Sequence, residues 1–187
     1  MIRWLAVIPL LLAPSVGFAA NPNATAEKEA RSYLQPCKQD AEDARQLCLL
    51  HQRNFIEQYV YAKANDRSGQ GSTAYSFDTR HKDDDLSWLG MPQNQIQACA
   101  WRRVISQIAG SKSAPDASRV AQNACEVLQP HEQTLALRRA NELVRELRTH
   151  PAATPKAGWE PKVPGLVELF PPKELDSTAE PLTADGP

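Results

Sequence analysis

The sequence predicts an all-α fold, and three amphipathic segments support this prediction. In each segment apolar residues recur every three or four positions, which is the period of one face of an α-helix. The three stripes are Leu47, Leu50, Phe55, Ile56 and Tyr59; Ile96, Ala100, Val104 and Ile108; and Ala136, Ala140, Leu143, Val144 and Leu147. The length left after the N-terminal segment fits one small domain, so we expect the helices to share one core.

The first 19 residues have the layout of a secretory signal peptide. Arg3 precedes an apolar run, and Gly17-Phe18-Ala19 is an ending typical of cleavage near Ala19 or Ala20. A membrane span is the weaker alternative, because the run contains two prolines and falls short of the ~20 residues that cross a bilayer. The sequence therefore predicts a periplasmic or secreted protein with no membrane span after removal of the signal.

The N-terminal part of the helical domain, residues 20–150, is expected to hold two helices and a long loop. Thr25 is placed to cap a short helix that ends before Pro36, and a longer helix runs from about Asp40 to about Ala64. Residues 65–89 are rich in Gly, Ser, Asp and Thr without a sustained period, which predicts a loop. Such a long loop is uncommon in a compact domain, so it is either functional or mobile.

The C-terminal part is expected to hold three helices and a tail. One helix covers about Gln93 to Ile108, and two more occupy 115–149, the second beginning at Pro130, where a missing N–H costs nothing. Residues 151–187 are dense in proline and predict a disordered or extended tail. The patch at 165–170 is either a loosely attached segment or one that docks on the domain or a partner.

The charge balance argues against nucleic acid and anionic membranes as partners. Lys and Arg number 21 against 22 Asp and Glu, so no net field recruits a polyanion.

Four cysteines in an exported chain indicate two disulfides rather than a metal site. If the break around Lys112 makes a helix hairpin, Cys99 and Cys125 lie at the same level and can pair. Cys37 and Cys48 can pair only if a turn separates them, because eleven residues of one helix would span about 16 Å. A Cys48–Cys99 linkage and unpaired thiols remain as alternatives.

The segment GMPQNQIQACAW resembles the middle of a Sel-one-like repeat, a tetratricopeptide-like helical repeat. Its matching positions are Gly90, Pro92, Gln93, Ala98 and Trp101, with Met91 and Asn94 standing for Val and Asp. The segment LQPHEQ at 128–133 is similar to the start of the last helix that often follows the terminal repeat of exported relatives. The resemblance implies one degenerate unit at about 55–110, tetratricopeptide-like helix hairpins, and binding to other proteins without catalysis.

Asn94, Ala98 and Trp101 also have physical roles that do not depend on the resemblance. Asn94 can cap the helix that follows it, Pro92 stiffens the entry, and Ala98 allows a neighbouring backbone to approach. Trp101 is expected to fill the adjacent core.

No residues are assigned to catalysis, a cofactor or a metal. The run His81 to Asp85 carries possible ligands but lacks the spacing of a calcium loop. His131-Glu132 begins like a zinc-protease motif, but Leu135 stands where the second His is required. The sequence favours an exported protein that binds an unknown envelope protein. The alternative is a periplasmic enzyme or metal-binding protein that uses the 65–89 loop.

Overall fold

The computed structural model describes residues 22–81, 90–91, 93–108 and 114–167, which contain six α-helices and no β-strand. The helices are α1 (Pro22–Tyr33), α2 (Glu42–Lys63), α3 (Arg67–Phe77), α4 (Gln95–Ile108), α5 (Ala114–Cys125) and α6 (Pro130–Thr149). The all-α prediction is confirmed. The segment expected to be a signal peptide lies outside the described residues.

The first helix begins earlier than the sequence suggested. Thr25 was expected to be its N-cap, but α1 starts at Pro22 and Thr25 lies inside its first turns. Proline is well suited to a first helical position, because its φ is already helical and it has no N–H to leave unpaired. The helix ends at Tyr33, before Pro36, as expected.

The expected loop at 65–89 is wrong over residues 67–77, which form α3. Asp66 caps this helix by accepting a hydrogen bond from the Gly69 N–H at 2.6 Å. Asn65 turns the chain between α2 and α3 with a positive φ of 65°, a conformation that Asn tolerates better than most residues. Helix α3 then packs against both α2 and α4, so the range 55–110 contains part of α2 and two further helices.

Helix α4 is the central element of the fold. It packs against α3, α5 and α6, while α1 packs against α2. Its inward face is fully buried and includes Ala98, Trp101 and Val104. Five aromatic rings from α1, α2, α3 and α4 form a connected cluster: Tyr33, Phe55, Tyr59, Phe77 and Trp101.

The last helix has the boundaries that the sequence predicts. Pro130 occupies its first turn, and the Glu132 carboxylate accepts a hydrogen bond from the Gln129 N–H at 2.8 Å. Its inward residues Ala136, Ala140 and Leu143 are fully buried. Helix α5 is shorter than expected, since it ends at Cys125 and residues 126–128 turn towards α6.

Residues 151–167 have no regular secondary structure, as expected for the start of the tail, but they lie on the helical domain. The Ala152 N–H donates to the Lys63 carbonyl at 2.9 Å, and Val163 packs against the main core. Residues 168–187, including the end of the 165–170 patch, lie outside the described part of the chain.

Candidate protein-interaction surface

The Gly90 motif anchors the start of α4 to the N-terminal half of the molecule. Gly90 has a φ of 72°, and a β-carbon there would lie 2.6 Å from Cys48 Sγ and from Gln52 Nε2. Glycine is the residue that adopts this backbone without strain and leaves room for the two side chains. The motif glycine therefore lies directly against a disulfide.

The remaining motif residues stabilise and bury α4. Asn94 Oδ1 accepts a hydrogen bond from the Gln97 N–H at 3.1 Å, which caps the helix as predicted. Ala98 and Trp101 are fully buried. The Trp101 ring meets the Tyr59 ring edge-on, with centroids 5.7 Å apart. The buried residues of the motif thus position and pack α4, whereas Gln93 is exposed and Pro92 lies outside the described residues.

The four cysteines form two disulfides, which are the two pairs that the sequence analysis expected. Cys99 on α4 is joined to Cys125 at the end of α5, with Cα atoms 5.0 Å apart. Cys37 is joined to Cys48 across a turn, with Cα atoms 5.9 Å apart. The turn precedes α2, so Cys37 and Cys48 are not in one unbroken helix.

A groove with an apolar floor lies between α5, α4 and α3; we call it the α5 groove. It has a cavity volume of about 250 Å³, and its lining residues are Arg67, Arg102, Ile105, Asp116, Ala117 and Val120. Val120 remains 42% exposed although it is apolar. The groove therefore combines exposed apolar surface with charged residues of both signs.

Arg102 is held in an unfavourable electrostatic environment at this groove. Burial lowers the pKa of its guanidinium, partly offset by the attraction of Asp78, and the nearby Arg80 lowers the pKa further. Its buried Nε has no hydrogen-bond partner among the described residues. A buried donor without a partner is destabilising.

A second, more polar depression lies on the other side of α5, facing α6. It has a cavity volume of about 430 Å³ and is lined by Arg103, Ser106, Ser118, Ala121, Gln122, Cys125, Glu126 and Gln133. Cys125 is held in its disulfide and offers no thiol here. Helix α5 therefore projects between two open depressions, and the α5 groove is the more apolar of them.

A network of ion pairs joins α1, α2 and α6. Lys63 bridges Glu29, at 3.1 Å, and Glu146, while Arg139 also contacts Glu29. Burial alone would raise the pKa of Glu29, but Lys63, the Tyr59 hydroxyl and Arg139 together hold it below its ordinary value. Each charge faces an opposite one, so the network holds helices together.

The alternative of an enzyme or metal-binding protein depends on a loop at 65–89. Part of that range is helical, and part lies outside the described residues. Residues 67–77 of that loop are helical, and residues 82–89 and the side chain of His81 are outside the description. Across the described residues, no three His, Cys, Asp or Glu side chains are grouped to hold a metal ion. None of the helices in that part of the chain is both long and apolar enough to cross a membrane.

The α5 groove was not foreseen from the sequence. Arg67 and Arg102 are brought together by α3, which the sequence did not predict, and single arginines carry no motif. Val120 is an apolar helix residue like those of the core, and only its 42% exposure distinguishes it from them.

No family model, curated protein or solved structure matches this chain. The resemblance to Sel-one-like repeats therefore stays a prediction that depends on the motif residues alone.

Proposed function

We propose that this protein is an exported helical-repeat protein of the bacterial envelope that binds another protein through the α5 groove. The observation that carries the proposal is the groove itself, in which the apolar side chains of Ile105 and Val120 lie beside Arg67 and Arg102. Protein interfaces are enriched in arginine, and their buried centres are more apolar than the rest of the surface. Catalysis has no part in this proposal.

The two disulfides support the location. Disulfides persist in the periplasm and outside the cell and are rare in the cytosol. Both disulfides join segments of the helical domain. They would form and persist in an oxidising compartment. The expected signal peptide at 1–19 would take the chain there.

The Sel-one-like resemblance supports the kind of function. Such repeats bind proteins through their helix faces, and the Gly90 to Trp101 motif would then serve to pack α4 while α5 presents the contact surface. One degenerate unit offers a groove rather than a long concave array, since solenoids usually need about three repeats. We therefore expect a compact partner surface or a single helix to fill the groove.

The experiment places a photo-crosslinking amino acid at Val120 and, in a matched control, at Leu135. Both side chains are 42% exposed, but Leu135 is not among the residues that line the groove. In the native envelope, the Val120 probe should give a defined crosslinked partner and the Leu135 probe should not. Adding Ala117→Glu would place a charge on the floor of the groove and should abolish the crosslink.

Equal crosslinking from both positions would contradict the proposal. So would a Val120 crosslink that persists unchanged in the Ala117→Glu protein, provided that its helical circular dichroism equals that of the parent.

A further inference from the structure

The segment after α6 runs back along α1 and α2 as an irregular peptide with turns at 157–158 and 164–165. It starts where the Ala152 N–H donates to the carbonyl of Lys63, the last residue of α2. It ends beside Gln46, in the second turn of α2. Residues 151–167 therefore lie antiparallel to α2 and cover much of its length.

The helices hold this segment largely by its backbone. The Arg31 guanidinium donates to the Lys162 carbonyl at 2.7 Å. The Gln46 side chain donates to the Gly165 carbonyl and accepts from the Val167 N–H, both at 2.9 Å. These contacts do not depend on the side chains of the segment, so the same receptor groups can hold the backbone of another non-helical peptide.

The side chains of the segment define what else fits. Pro155 and Pro161 are buried, and Trp159 packs against the cluster of Ala26 and Val60. Proline is well suited to a non-helical ligand, because its fixed φ reduces the entropy lost on binding. Glu160 adds an ion pair with Arg53 at 3.1 Å.

Residues 151–167 bury little of their surface against the helices. Of residues 151–167, only Ala152, Pro155 and Pro161 are buried, while most of the others are exposed. The Glu160 carboxylate is 59% exposed, and exposed ion pairs contribute little to stability. A segment held in this way can be displaced without unfolding the helices beneath it.

We propose that this face of α1 and α2, formed by Ala26, Arg31, Gln46, Arg53 and Val60 and here called the strap groove, is a binding site for a non-helical, proline-containing peptide of a partner protein. Residues 151–167 occupy it in cis and compete with that peptide. The strap groove involves none of the residues of the α5 groove, so it is a second site whose test is independent of the proposed function.

The test uses a fluorescent synthetic peptide with the sequence of residues 151–167 and the full-length protein. Occupancy in cis raises the apparent Kd, which equals the intrinsic Kd divided by the fraction of open molecules. The double variant Trp159→Ala, Val163→Ala weakens the cis segment and leaves the strap groove intact. It should bind the peptide at least tenfold more tightly than the unaltered protein.

A third substitution tests whether the peptide occupies the strap groove. Adding Gln46→Ala to the double variant removes two hydrogen bonds and should weaken peptide binding by about tenfold or more. The matched control is Arg45→Ala, because Arg45 precedes Gln46 on α2 but pairs with Glu42 rather than with the segment. It should leave the affinity unchanged.

A milder variant covers the case in which the double variant does not fold. Glu160→Lys changes an exposed residue and places a positive charge beside Arg53, so it should loosen the cis segment and tighten peptide binding several-fold. A second peptide, with alanine at the positions of Pro155 and Pro161, should bind more weakly to every variant.

Three results would overturn the proposal. The first is an affinity that is equal in the Gln46→Ala and Arg45→Ala proteins. The second is no peptide binding by either the double variant or Glu160→Lys. The third is a dimer in sedimentation that the peptide dissociates, which would assign the strap groove to a second copy of this chain.

Discussion

At the residue scale, Gly69 and Gly71 occupy the same helix in opposite environments. A β-carbon on Gly69 would lie 2.7 Å from the backbone nitrogen of Ala62 and 2.9 Å from the carbonyl oxygen of Gln58. A β-carbon on Gly71 would meet nothing within 4 Å. The missing side chain at Gly69 therefore permits the contact between α3 and α2, whereas Gly71 has no such role.

Substituting alanine at these two glycines should have opposite effects. Gly69→Ala forces α3 away from the backbone of α2 and should lower the free energy of unfolding by about 1 to 3 kcal/mol, as overpacking does. Gly71→Ala should raise it by about 0.5 to 1 kcal/mol, because alanine loses less backbone entropy in a helix. Urea denaturation of both proteins measures the difference, and an equal response would show that the helices are not in close contact at Gly69.

Trp101 is expected to stabilise the core rather than to bind a partner. It is fully buried and packs edge-on against Tyr59. Trp101→Ala should therefore cost about 3 to 5 kcal/mol in thermal or denaturant unfolding. Unchanged stability together with loss of the Val120 crosslink would instead place Trp101 in the interface.

The charge of Glu29 should stabilise the fold at neutral pH and lose that effect in acid. Its pKa is lowered in the folded protein from an ordinary value of 4.5. A carboxylate with a lowered pKa contributes its full stability above the unfolded value, and the contribution falls as the pH drops through the folded value. Glu29→Gln should therefore lower the melting temperature near pH 7, and the difference from the parent should shrink below pH 4.5.

Glu27→Gln serves as the control for this experiment. Glu27 pairs with Arg31 within α1 and does not join two helices, so its removal should change the melting temperature less. A Glu29→Gln difference that stays constant from neutral pH into acid would contradict the proposed role of the charge.

At the element scale, the sequence predicted the helices whose apolar stripes are continuous and missed the one that is built from small and polar residues. The buried face of α3 consists of Gly69, Gln70, Thr73, Ala74 and Phe77. Only Phe77 among them is a large apolar residue, so a search for apolar periodicity does not detect this helix. Yet the spacing of Gln70, Ala74 and Phe77 is helical, and Asp66 stands in an N-cap position. Helix α3 forms because α2 and α4 bury it, which is tertiary information that local patterns do not contain.

The same limit applies to the α5 groove and to the tail. Proline density correctly predicted the lack of helix at 151–167, but the contacts of Arg31 and Gln46 with that segment span more than a hundred residues along the chain. The Cys99–Cys125 pair was expected because a helix hairpin would bring the two residues to the same level, whereas Cys37–Cys48 depended on a turn between them. Helix geometry thus reduced the possible pairings and left a Cys48–Cys99 linkage open, while contacts between distant side chains had no counterpart in local patterns.

The two disulfides should make unequal contributions to stability. The Cys99–Cys125 bond closes a loop with a sequence separation of 26, against 11 for Cys37–Cys48. Loop-closure entropy then predicts about 3.5 kcal/mol for the first and about 3 kcal/mol for the second. Unfolding of the Cys99→Ser, Cys125→Ser and Cys37→Ser, Cys48→Ser proteins measures both values.

Peptide mapping of the unreduced protein is the check on the pairing. The expected linked peptides contain Cys37 with Cys48 and Cys99 with Cys125. A Cys48–Cys99 linkage would show that α2 packs directly on α4 at these positions and that the hairpin pairing is wrong.

At the scale of the whole molecule, the helices differ in how many neighbours protect them. Helix α4 is enclosed by α3, α5 and α6, whereas α5 packs mainly against α4 and has exposed polar and apolar residues along its outer face. Local opening costs least where few buried contacts are lost. The element that presents the proposed interface is therefore also one of the least protected.

Native-state hydrogen exchange should reveal this difference in protection between α4 and α5. Amides of α4 around Trp101 and Val104 should exchange most slowly, close to the rate set by global unfolding, and those of α5 faster. In the Cys99→Ser, Cys125→Ser protein, α5 loses its covalent tie to α4, so exchange in α5 should accelerate more than exchange in α6. The Cys37→Ser, Cys48→Ser protein is the control, because its lost bond lies at the other end of the chain. If α5 and α4 exchanged at one rate in every protein, the molecule would open as a single unit, and the α5 groove would be as rigid as the core.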